Sequence, residues 1–310
     1  MPPILITSWK RYREVSLLIE EIRKISPKKI YIASDGPNLK IKGNKEKVIK
    51  TRNVIIKNID WPCELKTLFS SEHNGCKKGM IKAINWFFNN EKEGIILEED
   101  CIPSEEFFVF CSELLEKYRK DDRVWSISGS NFQDGLWRGS SSYYFSKYFH
   151  CWGWATWRDR WKKFDFDMLE LNKVKNLNLL NFTLTNPKER VYWLKIWEKL
   201  IREGKPDSWA YRCGFNCLIN NGLSIIPNKN LVKNIGLNKR GTNTTYAFID
   251  SKISKGIIPL DHPALVEINE EADKYTFYNH YSLSIWTKLK KILKKPIYYF
   301  NSIISDLYSK

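Results

Sequence analysis

The sequence predicts an α/β protein with a mostly parallel sheet flanked by helices on both faces. Short apolar, β-branched runs recur through the first 130 residues, and segments with helical apolar spacing lie between them. Alternation of this kind implies right-handed crossovers between parallel strands. A length of 310 residues at 43% hydrophobic is enough to bury a large core, and it excludes a disordered or collagen-like chain.

In chain order, residues 3–7 (PILIT), 29–34 (KIYIAS), 54–57 (VIIK), 64–69 (ELKTLF) and 94–98 (GIILE) read as buried strands, and RVWSISGS at 123–130 as another. Val15, Leu18, Ile19 and Ile22 form one helix face, and Met80, Ile81, Ile84, Phe87 and Phe88 form a second. Ser104 suits the cap of a third helix. Glu105 and Glu106 fall in its positive first turn, and Phe107, Phe110, Cys111, Leu114, Leu115 and Tyr118 form its stripe. Beyond residue 137 comes an aromatic stretch ending in CWGWATWRDRW, then a polar segment, a helix over 188–203, and mixed structure over 205–244. With no internal repeat, the expected organisation is a catalytic domain over 1–244, divided near 135, followed by a basic helical extension over 245–310.

Lys plus Arg number 51 against 35 Asp plus Glu, a formal charge of +16, so the surface should attract phosphates, nucleic acid or anionic lipid. Thirteen tryptophans suit a packed ligand-binding enzyme better than a basic tail. The seven cysteines form no CxxC pair, which points to a reducing compartment. The first residues hold only a four-residue apolar run, too short for a signal-peptide core, and no run of about eighteen apolar residues occurs, so a cytoplasmic protein is expected.

Parallel sheets bind ligands at the carboxyl ends of their strands, and three exits there are polar or charged: Ser8 to Arg11, Ser34 to Pro37 and Glu98 to Cys101. Glu98, Glu99 and Asp100 repel one another. A divalent cation on diphosphate oxygens would neutralise them, unless they form a solvated acidic turn. Asp35 sits in a Ser-Asp-Gly-Pro turn that needs no function to explain it. Lys10 and Arg11 either contact phosphate or open the first helix in solvent. Asn74 and Lys78 lie in HNGCKKG before a helix, where backbone N–H groups and lysines could meet a diphosphate. Asp207 could act as general base for a hydroxyl or cap the helix starting near Trp209. Lys239 and Arg240 could close over a phosphate or stand exposed, and Cys213 and Cys217 suit core packing. The tryptophans of CWGWATWRDRW suit either a sugar-facing wall or the core, and Asp159 between its arginines reads as an ion-paired structural carboxylate.

The ordered set ILITSWKR, IYIASDGP, HNGCKKGMIKAINWFF, IILEEDCIPSEEFFVF, VWSISGSN, CWGWATWRDRW, DSWAYR and NIGLNKRGTN resembles nucleotide-sugar-dependent glycosyltransferases of the GT-A fold. More narrowly, it resembles the N-acetylglucosaminyltransferase I-like enzymes of glycosyltransferase family 13 and their bacterial relatives, over residues 3–244. The resemblance implies that Glu98-Glu99-Asp100 is a form of the DXD motif. Asp100 would then bind Mn²⁺ or Mg²⁺ on the donor diphosphate and Glu99 would lie near the ribose, although Glu99 replaces the family's aspartate. It further implies Asp35 at the base, Lys10 and Arg11 at the phosphates, and Asp207 as catalytic base of an inverting transfer, although Pro206 replaces the family's aromatic. A UDP-linked donor, a saccharide or lipid-linked saccharide acceptor, and a role in bacterial surface polysaccharide or glycolipid synthesis are the corresponding expectations.

Residues 276–310 carry six lysines against one aspartate, with Ile285, Leu289, Ile292 and Leu293 on one helical face. Such a helix either lies on an anionic membrane surface or packs on the catalytic domain. Two other functions compete. A nucleic-acid-binding protein would suit the charge, but carboxylates in the cleft oppose it. A nucleotidyltransferase would share the sheet and the metal, but no glycine-rich signature lies near the amino terminus.

Overall fold

The computed structural model describes residues 1–236 and 252–282. The first half alternates strand and helix: β1 (Ile4–Ser8), α1 (Tyr12–Ile25), β2 (Lys29–Ser34), α2 (Asn44–Asn58), β3 (Glu64–Phe69), α3 (Gly75–Asn90) and β4 (Glu93–Glu98). Then come β5 (Cys101–Pro103), α4 (Glu105–Lys117), β6 (Val124–Ser128), β7 (Tyr143–Ser146) and β8 (Trp154–Trp157). The helices α5 (Arg158–Trp161), α6 (Leu171–Asn176), α7 (Leu180–Thr183), α8 (Pro187–Glu203) and α9 (Ala210–Ile219) follow. The strands β9 (Leu223–Pro227) and β10 (Val232–Asn234), α10 (Glu270–Thr276) and a π-turn (Phe277–Tyr281) complete the described chain.

Eight strands form one sheet in the order β3-β2-β1-β4-β8-β6-β9-β7. Only β8 and β7 run against the rest, so the sheet is mostly parallel. Helices cover both faces. Val15, Leu18, Ile19 and Ile22 of α1 are fully buried in a core shared with α4, while Met80, Ile84, Phe87 and Phe88 of α3 pack on the opposite face with Trp154 and Trp161. Ser104 caps α4, its Oγ accepting the Phe107 N–H at 3.3 Å. Asn186 caps α8 by accepting the Lys188 N–H at 2.9 Å, Pro187 opens that helix, and Gly204 ends it at φ +62°.

Two expected strands differ. VIIK at 54–57 belongs to α2, because Val48, Thr51 and Ile55 recur at helical spacing and turn inward together. ELKTLF is a strand but not a buried one: β3 pairs only with β2 at the sheet edge, and Glu64 and Phe69 are exposed. The tryptophans of CWGWATWRDRW divide. Trp154, Trp157 and Trp161 are at most 3% exposed and belong to the core, whereas Trp152 reaches the cavity described below. Asp159 pairs with the Arg160 guanidinium, and Cys213 and Cys217 are fully buried.

Residues 252–282 return to the β7 edge. Asn269 donates its N–H to the Phe145 carbonyl at 2.8 Å, and Asp273 accepts from the Ser146 hydroxyl and, at 3.0 Å, from the Lys147 N–H. Gln133 Nε2 donates to the Ala272 carbonyl and to Thr276. Lys239, Arg240 and the basic segment from residue 283 lie outside the described residues. Among the described residues no helix is long and apolar enough to cross a membrane.

Candidate active site

The chain runs from β1 outward to β2 and β3, then returns to place β4 on the other side of β1. The loops leaving β1 and β4 therefore diverge, and a crevice opens at the carboxyl ends of the strands, where such sheets bind ligands. A cavity of about 620 Å³ occupies it. Ser8, Trp9 and Arg11 come from the β1 exit, Asp35 from β2, and Glu98, Glu99 and Asp100 from β4.

The three carboxylates form one wall with one guanidinium among them. Glu99, 8% exposed, accepts the N–H groups of Trp9 at 2.8 Å and Arg11 at 3.3 Å through Oε2. The Arg11 guanidinium pairs with Asp100 and lies 3.9 Å from Glu99. Burial, reinforced by Asp100, pushes Glu98 up to about 8. Burial pushes Glu99 up to about 7 against the pull of the Trp9 N–H, and it raises Asp100 against the pull of Arg11. Among the described residues, the Arg11 guanidinium alone pairs with these carboxylates. Hard carboxylate oxygens in a charge-deficient pocket fit Mg²⁺ or Mn²⁺. Among the described residues no group of three or more His, Cys, Asp or Glu side chains is placed to hold a metal ion by itself.

Across the crevice, the first amides of α3 are held by two carboxylates. Asp35 accepts from the Asn74 N–H at 2.9 Å, the Asn74 side-chain amide at 2.8 Å and the Gly75 N–H at 3.1 Å, and His73 Nδ1 lies 2.7 Å from it. Asp207 accepts the Cys76 N–H at 2.7 Å and the Lys77 N–H at 3.3 Å. The amides expected to meet a diphosphate are thus engaged by side chains, and Asp207 caps α3 rather than the helix that follows it. Gly75 permits this contact: it sits at φ +78°, and a Cβ there would lie 2.8 Å from Asp207 Oδ2.

The other expected site residues divide. Asn74 stands at the start of α3 beside the cavity, its side-chain amide donating to Asp35, but Lys78 is exposed on the outer side of that helix and Lys10 holds its ammonium 3.9 Å over the Trp9 ring; neither lysine lines the cavity. Lys82, one turn beyond Lys78, does line it. So does Gly236, which sits on the Arg11–Asp100 pair: a Cβ there would lie 2.0 Å from Asp100 Oδ2.

The far end of the cavity was not legible as a site. Tyr148, His150 and Trp193 line it and are each at most 5% exposed; the Trp193 indole N–H leans on the Tyr148 hydroxyl, and His150 Nε2 finds no hydrogen-bond partner. Burial pushes the His150 imidazole down to about 4, and the ring stacks on Phe132 at 4.2 Å. Tyr281 packs edge-on against both Tyr148 and Trp193. The only sequence signal was an aromatic density that core packing explains equally well.

No known family profile matches the chain, and no curated protein does. Solved structures show partial likeness. A mannosyltransferase from Pyrobaculum calidifontis, in complex with GDP-Man and Mn²⁺, matches at 15% identity and TM-score 0.32, over 51% of this chain and 45% of its own. The glycosyltransferase GlyE of Streptococcus pneumoniae matches at 11% identity and TM-score 0.31, over 72% of this chain and 44% of its own. A UDP-glucose pyrophosphorylase complexed with UDP-glucose matches at 10% identity and TM-score 0.31, over 52% of this chain and 78% of its own. The chain thus spans less than half the length of the two sugar transferases. Likeness this partial gives no residue correspondence, and the site is read from its own side chains.

Proposed function

We propose that this chain is a metal-dependent glycosyltransferase that moves a sugar from a nucleotide-sugar donor, UDP-linked by its sequence resemblance, to a saccharide hydroxyl with inversion. The observation that carries the reading is the charge-deficient wall of Glu98, Glu99 and Asp100 at the switch point of the sheet, facing Asp207 across one cavity. Asp100, with Glu98 beside it, is the holder assigned to Mn²⁺ or Mg²⁺, and the ion when bound would neutralise the departing diphosphate. Asp35 and Trp9 border the base end, and Arg11 the phosphates.

Asp207 keeps one lone pair on each oxygen beyond those used by the Cys76 and Lys77 amides, so it can still take a proton. In the proposed reaction it removes the proton of the acceptor hydroxyl while that oxygen attacks the anomeric carbon and the nucleoside diphosphate leaves. Tyr148, His150 and Trp193 suit the acceptor. A ligand hydroxyl would satisfy the unpartnered His150 Nε2 while the rings cover the apolar faces of a sugar.

A nucleotidyltransferase fits less well. Its triphosphate needs free amides in a flexible loop after the first strand, whereas here Trp9 and Arg11 give their amides to Glu99 and α1 begins at Tyr12. A nucleic-acid backbone would meet the same three carboxylates. A thermal-shift panel of nucleoside diphosphates and nucleotide sugars, with and without Mn²⁺, tests the proposal. One nucleotide should stabilise the protein only when metal is present, and no metal-dependent shift with any of them would remove the reading.

A further inference from the structure

The face of α2 that turns away from the sheet is unusual for this protein. From Leu39 to Lys57 the chain carries Lys40, Lys42, Lys45, Lys47, Lys50, Arg52 and Lys57 against a single acid, Glu46. Arg52 is spent on carbonyls of Ser34, Asp35 and Ser70. The six lysines are exposed, and among the described residues none of them is in a salt bridge. Eight lysines elsewhere among the described residues are in salt bridges, among them Lys29 with Glu91, Lys77 with Asp167, Lys147 with Glu189 and Lys175 with Glu198. Apolar side chains interleave with this unpaired charge, with Leu39 78%, Ile41 44%, Ile49 47% and Ile56 43% exposed.

The helix turns Val48, Thr51 and Ile55 to the core, so Lys45, Ile49, Lys50, Ile56 and Lys57 face outward. The preceding turn is fixed rather than loose, because buried Asn44 accepts the Asn38 N–H at 2.7 Å. Leu39, Lys40, Ile41 and Lys42 are thereby presented beside the start of the helix. Exposed aliphatics flanked by lysines whose stems can lie along apolar surface are the composition of a membrane-surface element. A single-stranded nucleic acid would call for aromatic rings to stack on; residues 39–57 contain none, and the neighbouring Tyr12 ring is covered by the Lys50 ammonium at 4.0 Å.

We infer that the outer face of residues 39–57 docks on an anionic phospholipid bilayer, with Leu39, Ile41, Ile49 and Ile56 entering the headgroup region and the lysines on the lipid phosphates. Arg52 fixes α2 to the carboxyl ends of β2 and β3 by donating to the Ser34 and Ser70 carbonyls. The inference does not depend on the proposed reaction.

Co-sedimentation of the full chain with vesicles tests it, using phosphatidylcholine alone and phosphatidylcholine with one-third phosphatidylglycerol. The wild type should bind only the anionic vesicles. K40Q/K42Q/K45Q should weaken binding roughly a hundredfold, at about fivefold per lysine, with an unchanged melting temperature. I49S/I56S, which leaves every charge in place, should lose the part of the binding that survives 0.5 M salt. Three outcomes would overturn the inference: no binding by the wild type, equal binding to neutral vesicles, or full binding by K40Q/K42Q/K45Q, which would assign the attachment to another basic segment such as the one beyond residue 282.

Discussion

The carboxylate of Asp207 accepts the backbone N–H of Cys76 at 2.7 Å, tying the loop before α9 to the first turn of α3 across the cavity. A capping role and a proton-accepting role make separable predictions. In Asp207→Asn the amide oxygen can still take the Cys76 N–H while the Lys77 N–H loses its acceptor, so the melting temperature should fall less than in Asp207→Ala while turnover falls at least about a hundredfold. In Asp207→Ala both should fall, the stability by about 1 kcal/mol. Retained turnover in Asp207→Asn would reduce the residue to a cap.

Among the described residues Arg11 supplies the one guanidinium paired with Glu99 and Asp100, and removing either side of that wall should have opposite consequences. Asp100→Asn should abolish the Mn²⁺-dependent thermal shift with nucleotide sugar, whereas Asp207→Ala should keep it. Arg11→Gln leaves buried carboxylates uncompensated and should cost about 3 kcal/mol of stability without metal. Mn²⁺ should restore part of that loss. Differential scanning fluorimetry with and without the ion reads both, and an Arg11→Gln protein as stable as the wild type would contradict the charge deficit.

Gly236 gives a steric test of the same wall. An added methyl would lie 2.0 Å from Asp100 Oδ2 and 2.5 Å from Arg11 Nη1, so Gly236→Ala must push the pair apart. The metal-dependent shift should be lost without any change in the carboxylates. Gly214→Ala, where a Cβ meets nothing within 4 Å, should fold normally and gain about 0.5–1 kcal/mol of helix stability.

The parts of this architecture that could be read from sequence are those where one signal acts alone. The runs ILIT, KIYIAS and GIILE are apolar throughout because both of their faces are covered, and the α1 and α4 stripes are unmixed. VIIK misled because α2 carries apolar residues on both sides: Ile55 faces the core, while Ile49 and Ile56 face out. The acidic trio was legible from its place after a buried strand. The linking of Asp35 and Asp207 through the amides of α3 was not, because it joins residues up to 131 positions apart and uses backbone donors that sequence does not display. Tyr148, His150 and Trp193 look like core aromatics until they are seen to line the cavity, with His150 Nε2 lacking a partner.

Asp273 should give the fold a pH dependence of its own. Burial pushes its carboxyl up to about 7, although the Ser146 hydroxyl and the Lys147 N–H both favour the charged form. A carboxyl whose folded value exceeds its unfolded one binds more protons in the native state, so its contribution is full below about 4 and is lost as pH rises to about 7. The difference in melting temperature between wild type and Asp273→Asn isolates this term, since other groups titrate alike in both. The wild type should lose ground to Asp273→Asn steadily from pH 4 to pH 7 and no further above pH 8, with a total on the order of a few kcal/mol. A difference that is flat across that range, or that runs the other way, would mean that Lys147, which lies 2.9 Å from Glu189, also keeps Asp273 ionised in the folded protein.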